Sequence, residues 1–92
     1  MTVTLDPDEI PHDVRATLSQ LLDRAGDAAR RGNDETAARL LGTASTVAEN
    51  KLPAGDYRER VRHGCTAARA ALPDGVLAAE YAAATAARLS DE

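Results

Sequence analysis

Apolar residues recur at intervals of three and four along the first third of the chain, which is the spacing of one face of an α-helix. This stripe predicts a first helix from Pro11 to Arg31. Its members are Val14, Leu18, Leu21, Leu22, Ala25, Ala28 and Ala29. No segment alternates apolar and polar residues with a period of two, so we expect an all-α fold without strands.

Turn and cap residues separate the first helix from a second. Gly32 suits the left-handed position after a helix C-terminus, and Asn33 is a favourable N-cap for a helix with two acids in its first turn. The second helix is predicted to end near Lys51, because Pro53 disfavours helical geometry at the residue before it. The link is short, so we expect these two helices to form an antiparallel α-hairpin.

The second half of the chain predicts another hairpin. Helix three is expected over 56–72, where Pro73 interrupts it, and helix four over 75–89 with Asp74 as its N-cap. The residues of helix three that are expected to face inward are Tyr57, Val61, Cys65, Ala68 and Leu72. One face of helix four carries Ala78, Tyr81, Ala82, Thr85 and Leu89, although its many alanines distinguish the faces poorly. The predicted architecture is four helices in two antiparallel α-hairpins, either a four-helix bundle or a short repeat-like pair.

The length of 92 residues allows one domain and is too short for two independent ones. We expect one all-helical domain over 1–92, made of an acidic segment (1–10), a first hairpin (11–52) and a second hairpin (53–90). The hairpins align on each other at an offset of 42 residues. An ancestral duplication and a chance match between alanine-rich segments both stay open at this point.

The first hairpin resembles a tetratricopeptide-type repeat over the stretch DRAGDAARRGNDETAARLLGTA, at positions 23–44. Small or apolar residues stand at the spacing that this family uses for close helix packing, namely Ala25, Ala28, Gly32, Ala37, Leu41 and Ala44. The large aromatic residues of the family are missing here, and its proline after the second helix comes late. The resemblance implies a helical-hairpin scaffold that binds proteins or peptides and has no catalytic residues.

The stretch AARLLGTASTVAENKLP, at positions 37–53, has two interpretations. A DNA-binding helix-turn-helix would need a helix break at Gly42, an apolar residue after it and another about six positions past it. Here Thr43 follows, and Val47 lies five positions past the glycine. An unbroken helix keeps the apolar residues on one stripe, and the glycine costs it only about 1 kcal/mol. We therefore favour one helix, in which Gly42 allows a close helix crossing.

Composition and charge narrow the classes of function. A net charge of −4 argues against a general nucleic-acid binder, which would carry a basic surface. The chain has no Phe or Trp and much alanine, so we expect a thin core and a homo-oligomer that buries further surface. No apolar run is long enough to span a membrane, and one cysteine cannot form an internal disulfide, so a soluble cytoplasmic protein is expected.

The sequence offers little catalytic or metal-binding chemistry. His63 and Cys65 are two positions apart, and side chains at that spacing on a helix point about 200° apart, so they cannot share one metal ion or act as a catalytic pair. Cys65 falls on the apolar stripe of helix three, which favours a small buried side chain over a reactive thiol. We expect no enzyme activity, no metal and no cofactor.

Arginines and tyrosines are the candidate partner-binding residues. Arg58, Arg62 and Arg69 are four and then seven residues apart, so they form one stripe along helix three. The stripe is either a solvated face with local ion pairs or a patch for an acidic partner, such as the acidic N-terminal segment of a second copy. Tyr57 and Tyr81 are expected to be core or interface anchors.

These features give two hypotheses of function. The first is a small non-catalytic protein–protein interaction module that associates with itself through an apolar or alanine-rich face and the arginine stripe. The alternative is a nucleic-acid-binding regulator that uses the segment 37–52 or the arginine stripe. That alternative lacks aromatic residues between the arginines, which would stack on bases.

Overall fold

The structure is a computed structural model that describes residues 11–90 of the chain. These residues form α1 (His12–Arg30), α2 (Asp34–Lys51), α3 (Asp56–Ala71) and α4 (Gly75–Ser90). The described part of the chain contains no strand, so the all-α prediction is confirmed. The acidic segment predicted over 1–10 lies outside the described residues.

Each helix packs on two of the others. Helices α1 and α3 both contact α2 and α4, and the short connections make successive helices antiparallel. The four helices therefore close into a ring around a large apolar cluster and a small cluster of alanines, which is the arrangement of an up-and-down four-helix bundle. The resemblance of the first hairpin to a tetratricopeptide-type repeat stays a prediction.

Local hydrogen bonds explain where the helices end. The Asn33 N–H donates to the Ala28 carbonyl at 2.9 Å, and the Gly32 N–H donates to the Ala29 carbonyl at 3.1 Å. Gly32 has a φ of 78°, so these bonds form the glycine-terminated end of α1 that the sequence predicts. Asp74 caps α4 as predicted, because its Oδ1 accepts a backbone N–H of the first turn at 3.1 Å. Asn33 precedes α2, but its side chain makes no capping hydrogen bond.

The core is built mainly from small side chains. The largest fully buried side chains are Leu18, Leu22, Leu41, Leu89, Val61 and Cys65. Buried alanines from all four helices fill the space between them. Alanine buries little apolar area, so this core stabilises the bundle less than one rich in leucine and aromatic residues would.

Glycines mark two very different contacts between helices. Helix α2 continues through Gly42 without a break, so the prediction of one helix over this stretch is confirmed. The prediction of a close helix crossing at Gly42 is wrong, because the Arg69 guanidinium lies over it, with Nη1 3.5 Å from the position of a Cβ. The close approaches are at Gly75, where a Cβ would overlap the carbonyl of Ala29, and at Gly64.

Candidate functional site

Two grooves run along the two flanks of α3. The α3–α4 groove has a volume of about 680 Å³, and the α2–α3 groove a volume of about 500 Å³. Positions along a helix differ by about 100° in direction, so the residues that line the first groove lie on the opposite flank of α3 from Arg69, which lines the second. The two grooves are therefore separate surfaces.

A glycine determines how close α3 and α4 lie in the α3–α4 groove. A Cβ on Gly64 would stand 3.0 Å from both Cβ and Cγ2 of Thr85 and would overlap its hydroxyl. Thr85 is only 3% exposed, and its hydroxyl donates to the carbonyl of Tyr81 at 2.8 Å. The threonine is thus held in place on the α4 side, and only glycine on the α3 side leaves room for it.

The lining of the α3–α4 groove changes in character along its length. Because α3 and α4 are antiparallel, the N-terminal end of α3 lies beside the C-terminal end of α4. Charges of both signs meet there: Asp56 and Glu59 on α3, Arg60 beside them, and Arg88 on α4. Towards the other end, Tyr81 and small residues line the groove.

The exposed surface of α4 is unusually apolar. Its exposed residues, here called the α4 outer face, are Val76, Leu77, Glu80, Tyr81, Ala83, Ala84, Ala87 and Arg88. Val76 is 65% exposed, Leu77 40% and Tyr81 42%. Tyr81 is therefore not a core residue, and of its two predicted roles that of an interface anchor stays a prediction. The sequence misplaced it because α4 is so rich in alanine that its faces look alike.

On α1, by contrast, the exposed residues are polar or charged apart from Ala16. Large apolar side chains exposed together on one face mark interaction surfaces more often than isolated ones do. The α4 outer face is thus the strongest candidate for contact with a protein.

The α2–α3 groove is lined by arginine, threonine and small apolar residues. Arg39 and Arg69 come from α2 and α3, and Gly42 lies between them. The hydroxyl of Thr43 donates to the Arg39 carbonyl at 3.0 Å, and that of Thr46 donates to the Gly42 carbonyl at 3.1 Å. Within the part of the chain that the structure describes, the lining contains two positive charges and no acid.

The structure divides the predicted arginine stripe into two parts. Arg58 Nε and Arg62 Nη1 each lie 3.5 Å from the same carboxylate oxygen, Oε2 of Glu59. Arg69 lies against α2 and shares its groove with Arg39. Arg39 did not emerge from the sequence, because only the packing of α2 on α3 brings it to this groove.

The two tyrosines occupy different environments. Tyr57 is half-buried and packs against the core, while Tyr81 is exposed on α4. Neither tyrosine lines the α2–α3 groove with Arg69. The five candidate partner-binding residues therefore do not form one surface.

Cys65 is a buried side chain of the core. It is 1% exposed, and burial raises the pKa of its thiol to about 11. At neutral pH the group is therefore a protonated thiol that packs as a small apolar side chain. His63, two residues away, lines the α3–α4 groove instead. Among residues 11–90, no three His, Cys, Asp or Glu side chains are grouped to hold a metal ion.

Within the part of the chain that the structure describes, no helix combines the length and apolar character needed to cross a bilayer.

Comparison with known proteins identifies a family. A family model described as a domain of unknown function (DUF8101) matches residues 4–91, which is almost the whole chain. No curated protein and no solved structure matches the chain.

Proposed function

This chain belongs to the DUF8101 family of domains of unknown function, and we propose that it is a small helical protein–protein interaction module without catalytic activity. Its first partner is a second copy of the chain, bound through α4. The observation that carries this proposal is the α4 outer face, where six of the eight exposed residues at positions 75–89 are apolar. The cytoplasm remains the proposed location.

The spacing of residues on α4 supports a second helix as the occupant of this face. Asp74, Leu77, Tyr81, Ala84 and Arg88 follow one another at intervals of three, four, three and four. This is the a/d spacing of a coiled-coil seam, in which each side chain packs against a facing helix. All five residues are exposed in the single chain, so the seam has no partner within residues 11–90.

Charge complementarity selects an antiparallel second copy. Asp74 and Arg88 both stand seven residues from Tyr81, about 10.5 Å along a helix axis on either side. When two α4 helices pair antiparallel about a two-fold axis at Tyr81, Asp74 of each copy therefore lies opposite Arg88 of the other. Leu77 and Ala84, four and three residues from Tyr81, come within one residue of facing each other, so a large side chain meets a small one across the seam.

The thin core gives a second reason for self-association. Only four leucines, one valine and one cysteine are the largest fully buried side chains of the bundle. A second copy on α4 would bury the apolar side chains of Leu77 and Tyr81, at about 25 cal/mol per Å² of apolar area removed from water. Association and stability are then expected to depend together on protein concentration.

Sedimentation velocity on the intact chain tests this proposal. We expect a concentration-dependent dimer, which Tyr81→Glu converts to a monomer by placing two like charges at the centre of the seam. Gln20→Glu is the matched control, because it adds the same charge at an exposed position of α1. A wild-type chain that stays monomeric, or a Tyr81→Glu variant that stays dimeric, would contradict the proposal.

A charge exchange tests the antiparallel register itself. Arg88→Glu alone and Asp74→Lys alone should each weaken the dimer, because both place like charges opposite each other. Asp74 also caps α4, so Asp74→Ala, which removes the cap without adding a positive charge, is the control for Asp74→Lys. An equimolar mixture of Arg88→Glu and Asp74→Lys should form a heterodimer, in which every facing pair is again of opposite charge. The absence of a heterodimer would exclude this register.

Addition of duplex DNA to the same sedimentation experiment tests the alternative. A salt-sensitive complex with the DNA would favour a nucleic-acid-binding role instead.

A further inference from the structure

We infer that the α2–α3 groove is a second binding site, which holds an acidic peptide segment of a partner protein between Arg39 and Arg69. Both arginines are exposed, and neither forms an ion pair with a carboxylate of residues 11–90. This site is independent of the self-association proposed for α4, because it lies on the other flank of α3.

The charge of the groove lining is what singles it out. In the α3–α4 groove, Arg60 and Arg88 are accompanied by Asp56 and Glu59. Among residues 11–90, the lining of the α2–α3 groove has two arginines and no acid, although the chain as a whole carries a net charge of −4. Two guanidinium groups in one groove repel each other unless an anion lies between them, and each binds a carboxylate with two parallel hydrogen bonds.

Gly42 leaves room for the Arg69 guanidinium, beside which this anion would lie. The Arg69 guanidinium lies over the glycine, where a longer side chain would fill the groove floor. The hydroxyls of Thr43 and Thr46 donate to carbonyls of their own helix, so their oxygens can still accept a hydrogen bond. The groove thus offers donors for carboxylates and acceptors for the backbone N–H groups of a peptide.

The remaining lining favours a peptide over a nucleic acid. Ala38 and Val47 are apolar and suit the aliphatic side chains of a peptide. None of the described residues that line the groove is an aromatic residue that could stack on a base. The net negative charge of the chain also opposes the long-range attraction of a polyanion.

The negative charge of Glu35 lies near this site and opposes the binding of an acidic peptide. Glu35 is exposed one turn before Arg39 on α2, outside the groove lining, and does not pair with that arginine in the structure. Because a carboxylate near the groove repels an acidic ligand, Glu35→Gln should strengthen peptide binding. This variant therefore gives a change in the opposite direction to loss of an arginine.

Fluorescence anisotropy with the intact chain tests the site. The probe is a short labelled peptide in which glutamates alternate with apolar residues, and its control has glutamines in place of the glutamates. We expect Arg39→Gln and Arg69→Gln each to weaken binding about tenfold, the usual effect of losing a charged hydrogen bond. Arg24→Gln, an equal charge loss on an exposed position of α1, should change it less than about twofold.

A variant that fills the groove separates site binding from general attraction. Gly42→Gln adds a good helix former with a side chain long enough to occupy the groove floor, so the chain should stay folded and lose the peptide. Equal losses in Arg24→Gln and Arg69→Gln, or full binding by Gly42→Gln, would overturn the inference. So would tighter binding of single-stranded RNA that depends on Arg39 and Arg69.

The peptide assay also distinguishes this inference from the role of α4. Tyr81→Glu, the variant designed to be monomeric, should bind the acidic peptide as tightly as the wild-type chain does. Loss of the dimer without loss of the peptide is the expected result and would support both proposals. Loss of both together would place the peptide at the α4 interface and contradict the second site.

Discussion

On one flank of α3, Gly64 lets the helix approach Thr85 of α4 closely; on the other, Gly42 of α2 leaves a space over which Arg69 lies. The same residue type therefore serves two purposes in one small bundle. At Gly64, Thr85 of the neighbouring helix fills the space that a side chain would take. At Gly42, the lack of a side chain leaves an open groove. A mid-helix glycine consequently says little about packing until its facing helix is known.

Replacement of Gly64 should show the strongest effect of this difference. Gly64→Ala places a Cβ into the buried side chain of Thr85, and overpacking of this kind costs about 1–3 kcal/mol. That loss exceeds the gain of about 0.5–1 kcal/mol that alanine brings to a helix interior. We expect a lower urea midpoint with an unchanged m-value in chemical denaturation followed by circular dichroism.

A double-mutant cycle identifies the source of that loss. Thr85→Ala removes the hydroxyl and methyl groups that the new Cβ would meet, so Gly64→Ala should destabilise the Thr85→Ala background less than the wild-type chain. Additive effects of the two substitutions would show that the contact between α3 and α4 does not limit the size of residue 64.

Burial of Cys65, which lies on α3 between the two flanks, should make the free energy of unfolding depend on pH. The expected change is about half as large as the effect of Gly64→Ala. Burial raises the pKa of Cys65 to about 11 from the usual 9.0. The unfolded chain therefore loses its thiol proton at a lower pH than the folded chain, so the stabilising contribution is complete below pH 9 and is lost between pH 9 and 11. We expect a loss of about 1 kcal/mol at pH 10 relative to neutral pH.

Urea titrations at the two pH values measure this loss, and Cys65→Ala is the comparison. The alanine variant is less stable at neutral pH because it leaves a small cavity, but it should lose less stability on going to pH 10. Equal pH dependence in both chains would assign the effect to other groups.

Helix positions and two of the helix ends could be predicted from the sequence because they depend on local chemistry, although Asn33 makes no capping hydrogen bond. The Gly32 turn, the Asp74 cap and the continuous α2 all follow from residues within one turn of each other. Tyr81 could not be placed, because alanine is accepted both in the core and on the surface. The alanines of α4 therefore give no direction to its faces, and packing decides them.

The candidate site depended on contacts between helices that periodicity does not contain. The arginine stripe has the predicted spacing, but Arg58 and Arg62 share one carboxylate while Arg69 lies against α2. Arg39 comes to the same groove only through the pairing of α2 with α3. A pattern on one helix shows which residues share a face, and the neighbouring helix determines what that face can bind.

Substitution of Gly42 should have a smaller effect, of opposite sign to that of Gly64. A Cβ on Gly42 meets only the end of the Arg69 side chain, at 3.5 Å, which is an ordinary contact. Gly42→Ala should therefore raise stability by about 0.5–1 kcal/mol through helix propensity alone. Thermal and urea unfolding measure the gain, and a destabilised Gly42→Ala variant would show that the groove floor is as crowded as the contact at Gly64.

The smallest expected change in stability concerns Glu59, which binds two arginines of the stripe. The carboxylate is 57% exposed and both of its contacts are 3.5 Å long, so Glu59→Gln should alter stability by less than about 0.5 kcal/mol. The effect of Glu59→Gln on acidic-peptide binding is more informative, because the substitution frees Arg58 and Arg62.

If Arg69 acts with Arg39 alone, the gain in peptide affinity of Glu59→Gln should match that of Glu49→Gln, an equal charge change at an exposed position of α2. A clearly larger gain would show that the whole stripe forms one surface, and would join the arginines that the structure separates.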